Sequence, residues 1–216
     1  MDPQVWEQSN DWAAMLSALP DINRSRKLRL WCVAWAREII AAAPPHSVFL
    51  ADVAMSFRPE LLVEYAKGVD AAEAFADGKF GHRQLVGAKP ATGGPWNVFH
   101  LPTGLTRLRT NEIAQTLGNF ASEFSIPTTA QLAHFVRDIF GNPFRPVVFA
   151  PAWRTDTAIA LARTMYEARE FSVMPILADA LQDAGCDNDD MLGHCRDTTA
   201  PHVRGCWVVD LVLGKE

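Results

Sequence analysis

No stretch of the 216-residue chain offers the roughly 18 uncharged apolar residues that a membrane-spanning helix needs. A basic excess is also missing: 20 Lys and Arg stand against 25 Asp and Glu, for a net charge of -5. Duplex-binding domains draw most of their affinity from phosphate contacts, so this balance disfavours a nucleic-acid partner. The opening, MDPQVWEQSNDW, carries acidic residues and no basic region ahead of an apolar core. It does not read as a secretory signal, and a cytoplasmic location is expected. The usual catalytic and nucleotide-binding signatures are missing as well: GxGxxG, GxxxxGK with a following Ser or Thr, HExxH and GxSxG. There is no tandem repeat of fixed period and little strand signal. Only Val147 to Phe149 and Trp207 to Leu213 suggest strands, and the second is read as helix.

What is present is helical periodicity. Apolar residues make up 49% of the chain, enough for a real core. Trp12, Met15, Leu16 and Leu19 share one face before Pro20 stops the segment. After a possible cap at Ser25, Leu28, Trp31, Cys32, Trp35 and Ile39 repeat at three- and four-residue spacing. Arg24, Arg26, Lys27, Arg29 and Arg37 flank that stripe and read as a solvated face, with a basic docking helix as the alternative. Asp52 to Asp77 reads as one or two helices with Leu61, Leu62, Tyr65, Ala66 and Val69 inward.

Further helices are expected with Ile113, Leu117, Phe120 and Phe124 inward, and from Pro127 with Leu132, Phe135, Val136, Ile139 and Phe140 inward. Two more follow the extended crossover Gly141 to Arg154. The first carries Ile159, Ala162, Met165 and Tyr166; the second starts near Ser172 and carries Ile176, Leu177, Ala180, Leu181 and Ala184. Gly185 suits the left-handed position after the second.

The pattern predicts an all-α fold, a compact multi-helix bundle or array. An N-terminal helical lobe, 1–77, and a C-terminal lobe, 105–216, would flank a Gly/Pro-rich loop, 78–104. That loop holds Lys79, His82, Arg83 and Lys89 beside Trp96 and Phe99. Long loops of this kind tend to be functional, and aromatic residues favour interface cores. Trp96 and Phe99 are therefore candidate anchors for a protein partner, or else tuck the loop against the body.

Four cysteines are few, and a reducing compartment leaves them as thiols. Their placement carries more information. Cys186, Cys195 and Cys206 fall with His194 and His202 inside 21 residues. Zinc takes about four soft or borderline ligands in a tetrahedron. Cys186, His194, His202 and Cys206 could supply them, with Cys195 as an alternative. The bland reading makes the cysteines small buried hydrophobes. A third reading is catalytic. If a helix began at Pro201, His202, Cys206 and Asp210 would fall on one face, as a base, a thiol and an orienting acid. Asp187, Asn188, Asp189 and Asp190 resemble a fragment of a calcium loop but lack its Gly and distal Glu, so a helix N-terminus is the better reading.

The run SRKLRLWCVAWAREI and, more fully, the stretch from Arg137 to the tail HVRGCWVVDLVLGKE resemble a family of helical proteins abundant in planctomycete-type bacteria. The resemblance implies a compact helical module. It carries over no catalytic residue and no metal ligand. Two functions of different class stand open: a helical binding or regulatory module stapled by zinc, and a metal- or thiol-dependent enzyme using the tail cluster.

Overall fold

The computed structural model describes residues 1–20, 26–42, 62–88 and 128–215. Among them the chain is all-α, with ten α-helices, one short 3-10 helix and no strand. By its internal contacts it divides into two compact units, Asn10–Ala133 and Met1–Ser9 with His134–Glu216. These are not the lobes expected from composition. The first nine residues group with the C-terminal segment, which itself begins at His134.

In the unit Asn10–Ala133, Asp11 caps α2 (Trp12–Ala18) by accepting from the Ala14 amide, and Trp12, Met15 and Leu16 are buried as expected. Helix α3 (Arg26–Ala42) differs from its sequence reading. Every residue from Leu28 to Ala36 is buried, Arg29 included. In the described residues the basic flank is not simply a solvated face, because α3 packs along α4 (Leu62–Ala76) and acids on and just after α4 meet it; Arg24 lies outside the described residues. Arg37 pairs with Asp70 and Glu73, Arg26 pairs with Asp77, and the Arg29 guanidinium lies over Phe75. Of the residues expected inward on α4, Tyr65 and Val69 are buried. Helix α5 (His82–Gly87) corrects part of the loop reading. The Gln84 side chain accepts from the Gly81 amide, and Leu85 is fully buried, so one local cap and one anchor outweigh the Gly-rich composition. The rest of that loop, with Trp96 and Phe99, and the helix expected around Ile113 lie outside the described residues.

The other unit holds the tail. Helix α1 (Pro3–Gln8) buries Trp6. Helix α6 (Thr129–Phe140), whose residues up to Ala133 belong to the unit Asn10–Ala133, opens on a reciprocal cap. The Gln131 amide donates to the Thr128 hydroxyl, and the Thr128 amide donates to the Gln131 side chain. Its stripe, Leu132, Phe135, Val136 and Ile139, is buried as the periodicity predicts. Helix α7 (Asp156–Ala168) is capped by Thr155 and closes on Arg169 in a left-handed conformation. Helix α8 (Met174–Asp183) starts two residues after the expected Ser172, with Pro175 in its first turn. Its buried face is Met174, Leu177, Ala178 and Leu181, while Ile176 is 54% exposed. The inward stripe is thus rotated from the one read in sequence. Asn188 caps α9 (Asp189–Arg196), whose first-turn acids favour the helix dipole, so the calcium-loop fragment is indeed a helix N-terminus. Helix α10 (Trp207–Leu213) confirms the helical reading of the last apolar run. The buried faces of α7, α8, α9 and α10 share one core, and Cys186, Cys195 and Cys206 belong to it.

One glycine fixes the relation of α6 to α10. Gly141 follows α6 with φ +67, and a Cβ there would lie 3.3 Å from the Trp207 indole. Gly141→Ala is therefore expected to destabilise this unit by about 1–3 kcal/mol, through both the left-handed backbone and crowding. Denaturant unfolding measures it, and a change below about 0.5 kcal/mol would mean that the indole yields freely.

Candidate metal centre

Four side chains from two helices and the loop that follows the second converge in the C-terminal unit. Asp138 comes from α6, two residues before its end. His194 comes from the last turn of α9. His202 lies in the loop 197–206, and Cys206 is the residue that precedes α10. Their ligand atoms all lie within 4.8 Å of one another, so the cluster could hold a metal ion. Asp138 and Cys206 are fully buried, and the His194 and His202 side chains are 17% and 6% exposed.

The sequence holds the loop in place by several bonds. Asp197 accepts from the Thr199 amide and hydroxyl, which turns the chain after α9. His134 Nε2 donates to the Pro201 carbonyl at 2.6 Å. The Val203 amide donates to Asp138 Oδ2 at 2.9 Å. That last bond occupies one carboxylate oxygen and leaves Oδ1 facing the cluster. There, Asp138 Oδ1 lies 2.7 Å from His202 Nδ1 and 3.2 Å from His194 Nε2. His194 Nε2 is also 3.2 Å from Cys206 Sγ. The His194 ring is packed edgewise against His202, at 4.8 Å between centroids, and against Trp207 at 5.4 Å. The Trp207 indole thus packs against both Gly141 and the His194 ring.

Burial would push the Asp138 carboxyl up, but the hydrogen bonds and charge of His194 and His202 outweigh it and hold the group well below the usual carboxylate range. Burial pushes the Cys206 thiol well above its ordinary value, and the Asp138 carboxylate pushes the same way. Cys206 is therefore a protonated thiol unless a cation claims it. His202 Nε2 is buried and has no hydrogen-bond partner. An orphaned buried nitrogen costs about 1–3 kcal/mol, so the site as built leaves one polar demand unanswered.

The placement revises the residues read from sequence. His194, His202 and Cys206 do come together. Cys186 is buried in the neighbouring apolar core and is not in the group, and Cys195 is not in it either. Asp138 takes the fourth place; it is 56 residues before His194 in sequence and was not anticipated. The one signal in the sequence was an acid three residues after Phe135, at the margin of an apolar stripe.

The one-helix catalytic arrangement does not form. Helix α10 begins at Trp207, so His202 lies outside it, and the carboxylate that meets His202 is Asp138. Nor do Cys206, His194 and Asp138 make a nucleophile–base–acid relay. Such a relay uses the two opposite ring nitrogens, one toward the nucleophile and one toward the acid. Here the same Nε2 faces both the thiol and the carboxylate, which is how ligands crowd around a shared centre.

Cys32 and Cys195, like Cys186, read as core. Burial pushes Cys32 and Cys195 up to about 12. A thiol with a raised pKa stays protonated in the fold while the unfolded chain ionises. The stability present below pH 9 is therefore lost as pH rises from there toward 12. The unit with Cys32 is expected to lose on the order of 1 kcal/mol between pH 8 and 10, and the metal-free tail unit, where Cys195 and Cys206 are both raised, about twice that, measured by urea unfolding. Cys32→Ala should flatten the slope in its unit, and Cys195→Ala should about halve it in the tail unit.

No family model matches this chain, and neither a curated protein nor a solved structure shows significant similarity to it.

Proposed function

We propose that this protein is a helical binding or regulatory module whose C-terminal unit is locked by a structural zinc ion on Asp138, His194, His202 and Cys206. The observation that carries the metal reading is the convergence of four buried or half-buried ligand atoms within 4.8 Å. The donor set supports zinc: one thiolate, two imidazoles and one carboxylate are borderline ligands, and hard cations such as calcium take oxygen alone. Four protein ligands would close the coordination shell, and closure distinguishes a structural site from a catalytic one. In such a site His202 Nε2 or Nδ1 becomes a ligand, the Val203 amide orients Asp138, and the metal draws the proton from Cys206.

A module held together in this way suits a reducing, cytoplasmic setting, where four buried free thiols persist. The binding role rests on the helical faces and on the loop 78–104, with Trp96 and Phe99 as the candidate anchor for a protein partner. Metal analysis of the purified protein tests the site. About one zinc per chain is expected, lost in Asp138→Ala and in Cys206→Ser but kept in Cys186→Ser. Zinc retained at full stoichiometry in Cys206→Ser, or no uptake by the wild-type chain, would refute the assignment.

A further inference from the structure

We propose that helix α1 is an exchangeable arm, and that the seat it occupies on the 137–144 segment accepts the same helix from a second copy of this chain. The proposal goes beyond the zinc reading and does not depend on it.

Helix α1 is a self-contained ligand. Asp2 caps it by accepting from the Val5 amide, and Pro3 starts its first turn, so its N-terminus needs nothing from the body. Its attachment is concentrated in one anchor and one clamp. The anchor is Trp6, fully buried and edge-on to Phe144 at 6.1 Å between ring centroids. The clamp is Arg137, whose Nη1 donates to the carbonyls of Trp6 and Ser9 at 3.2 and 2.8 Å. A guanidinium there satisfies the free carbonyls at the end of the helix and complements its dipole. Glu7 adds one exposed bond to Asn142 at 2.7 Å. A buried aromatic beside an arginine, rimmed by a polar contact, is the composition of a recognition hot spot rather than of a continuous core.

Two observations argue that the arm can leave. The Trp6 indole N–H is buried with no hydrogen-bond partner, so docking costs that group its water and returns nothing. The arm also joins the unit Asn10–Ala133 through the non-helical residues Ser9 and Asn10, both in extended or irregular backbone. The contacts with Arg137, Asn142 and Phe144 are available, unchanged, in a second copy. Exchange of an identical element in this way is a low-cost route to a dimer.

The test uses full-length chains with one substitution each, at the exposed Glu7 or the half-buried Asn142. Chains carrying Glu7→Cys are mixed with chains carrying Asn142→Cys and treated with a short bismaleimide; the four native cysteines are buried and spared. The expected product is a covalent dimer linked between position 7 of one chain and position 142 of the other, mapped by peptide mass spectrometry. Its yield should rise with concentration. It should fall at least tenfold when Trp6→Ala is added to the Glu7→Cys chain, or when the peptide MDPQVWEQS is present in large excess. A single chain carrying both substitutions should close on itself. If that chain closes fully while the mixture gives no linked dimer at any concentration, exchange is refuted. If even the double variant fails to close, the seat itself is refuted. A failed zinc measurement changes neither outcome.

Discussion

Replacing Asp138 by alanine is expected to cost the C-terminal unit about 3–5 kcal/mol in urea unfolding under chelating conditions, more than any other single polar change in it. The carboxylate is fully buried and serves three neighbours: the Val203 amide through Oδ2, and His202 and His194 through Oδ1. Its removal leaves a backbone donor and one or two imidazole nitrogens without partners in a place that water does not reach. Each such orphan costs about 1–3 kcal/mol, and the sum is of the stated size. Asp138→Asn separates charge from geometry. Asparagine can still accept from Val203 or from His202, so it should cost less than alanine while forfeiting the charge that faces the two histidines. A loss below about 1 kcal/mol for Asp138→Ala would show that the loop 197–206 is held by its own turns and by the His134 bond to Pro201, and that the cluster is incidental to the fold.

The sequence makes the helices readable because their causes are local. The Thr128–Gln131 pair, Thr155 and Asn188 are caps that act within three residues. The stripes of α2, α6 and α7 follow from helical periodicity. What local reasoning misplaces is set by tertiary contact. The basic flank of α3 looked solvated because its acidic partners sit some 33–51 residues away, on α4 and just after it. Ile176 looked inward because it obeys the period, although Met174 and Ala178 turn the buried face away from it. The site was legible in three of its four members, since His194, His202 and Cys206 are close in sequence. Proximity in sequence also suggested Cys186, which instead fills the core. Asp138 could enter only through packing of α6 beside the tail, and no spacing rule reaches across 56 residues.

Zinc is expected to raise the unfolding free energy of this unit by about 4 kcal/mol when free metal stands a thousandfold above its dissociation constant. The gain arises because the unfolded chain spreads the ligands over residues 138 to 206, while the fold presents them within 4.8 Å. Two variants distinguish specific loading from a general salt effect. Cys206→Ser should remove most of the zinc-dependent gain, since it exchanges the one thiolate for a poor ligand. Cys186→Ala should lower the baseline by losing packing, yet keep the gain, because Cys186 belongs to the core and not to the group. Hydrogen exchange then localises the effect. Amides of α9 and α10 and the loop between them should gain protection on zinc addition, while α3 and α4, which supply no ligand, should not. Equal protection in both units, or a gain that survives Cys206→Ser, would place the metal elsewhere. A gain confined to the tail would instead mean that this loop, tied at Asp138, is where metal occupancy sets the stability of the fold.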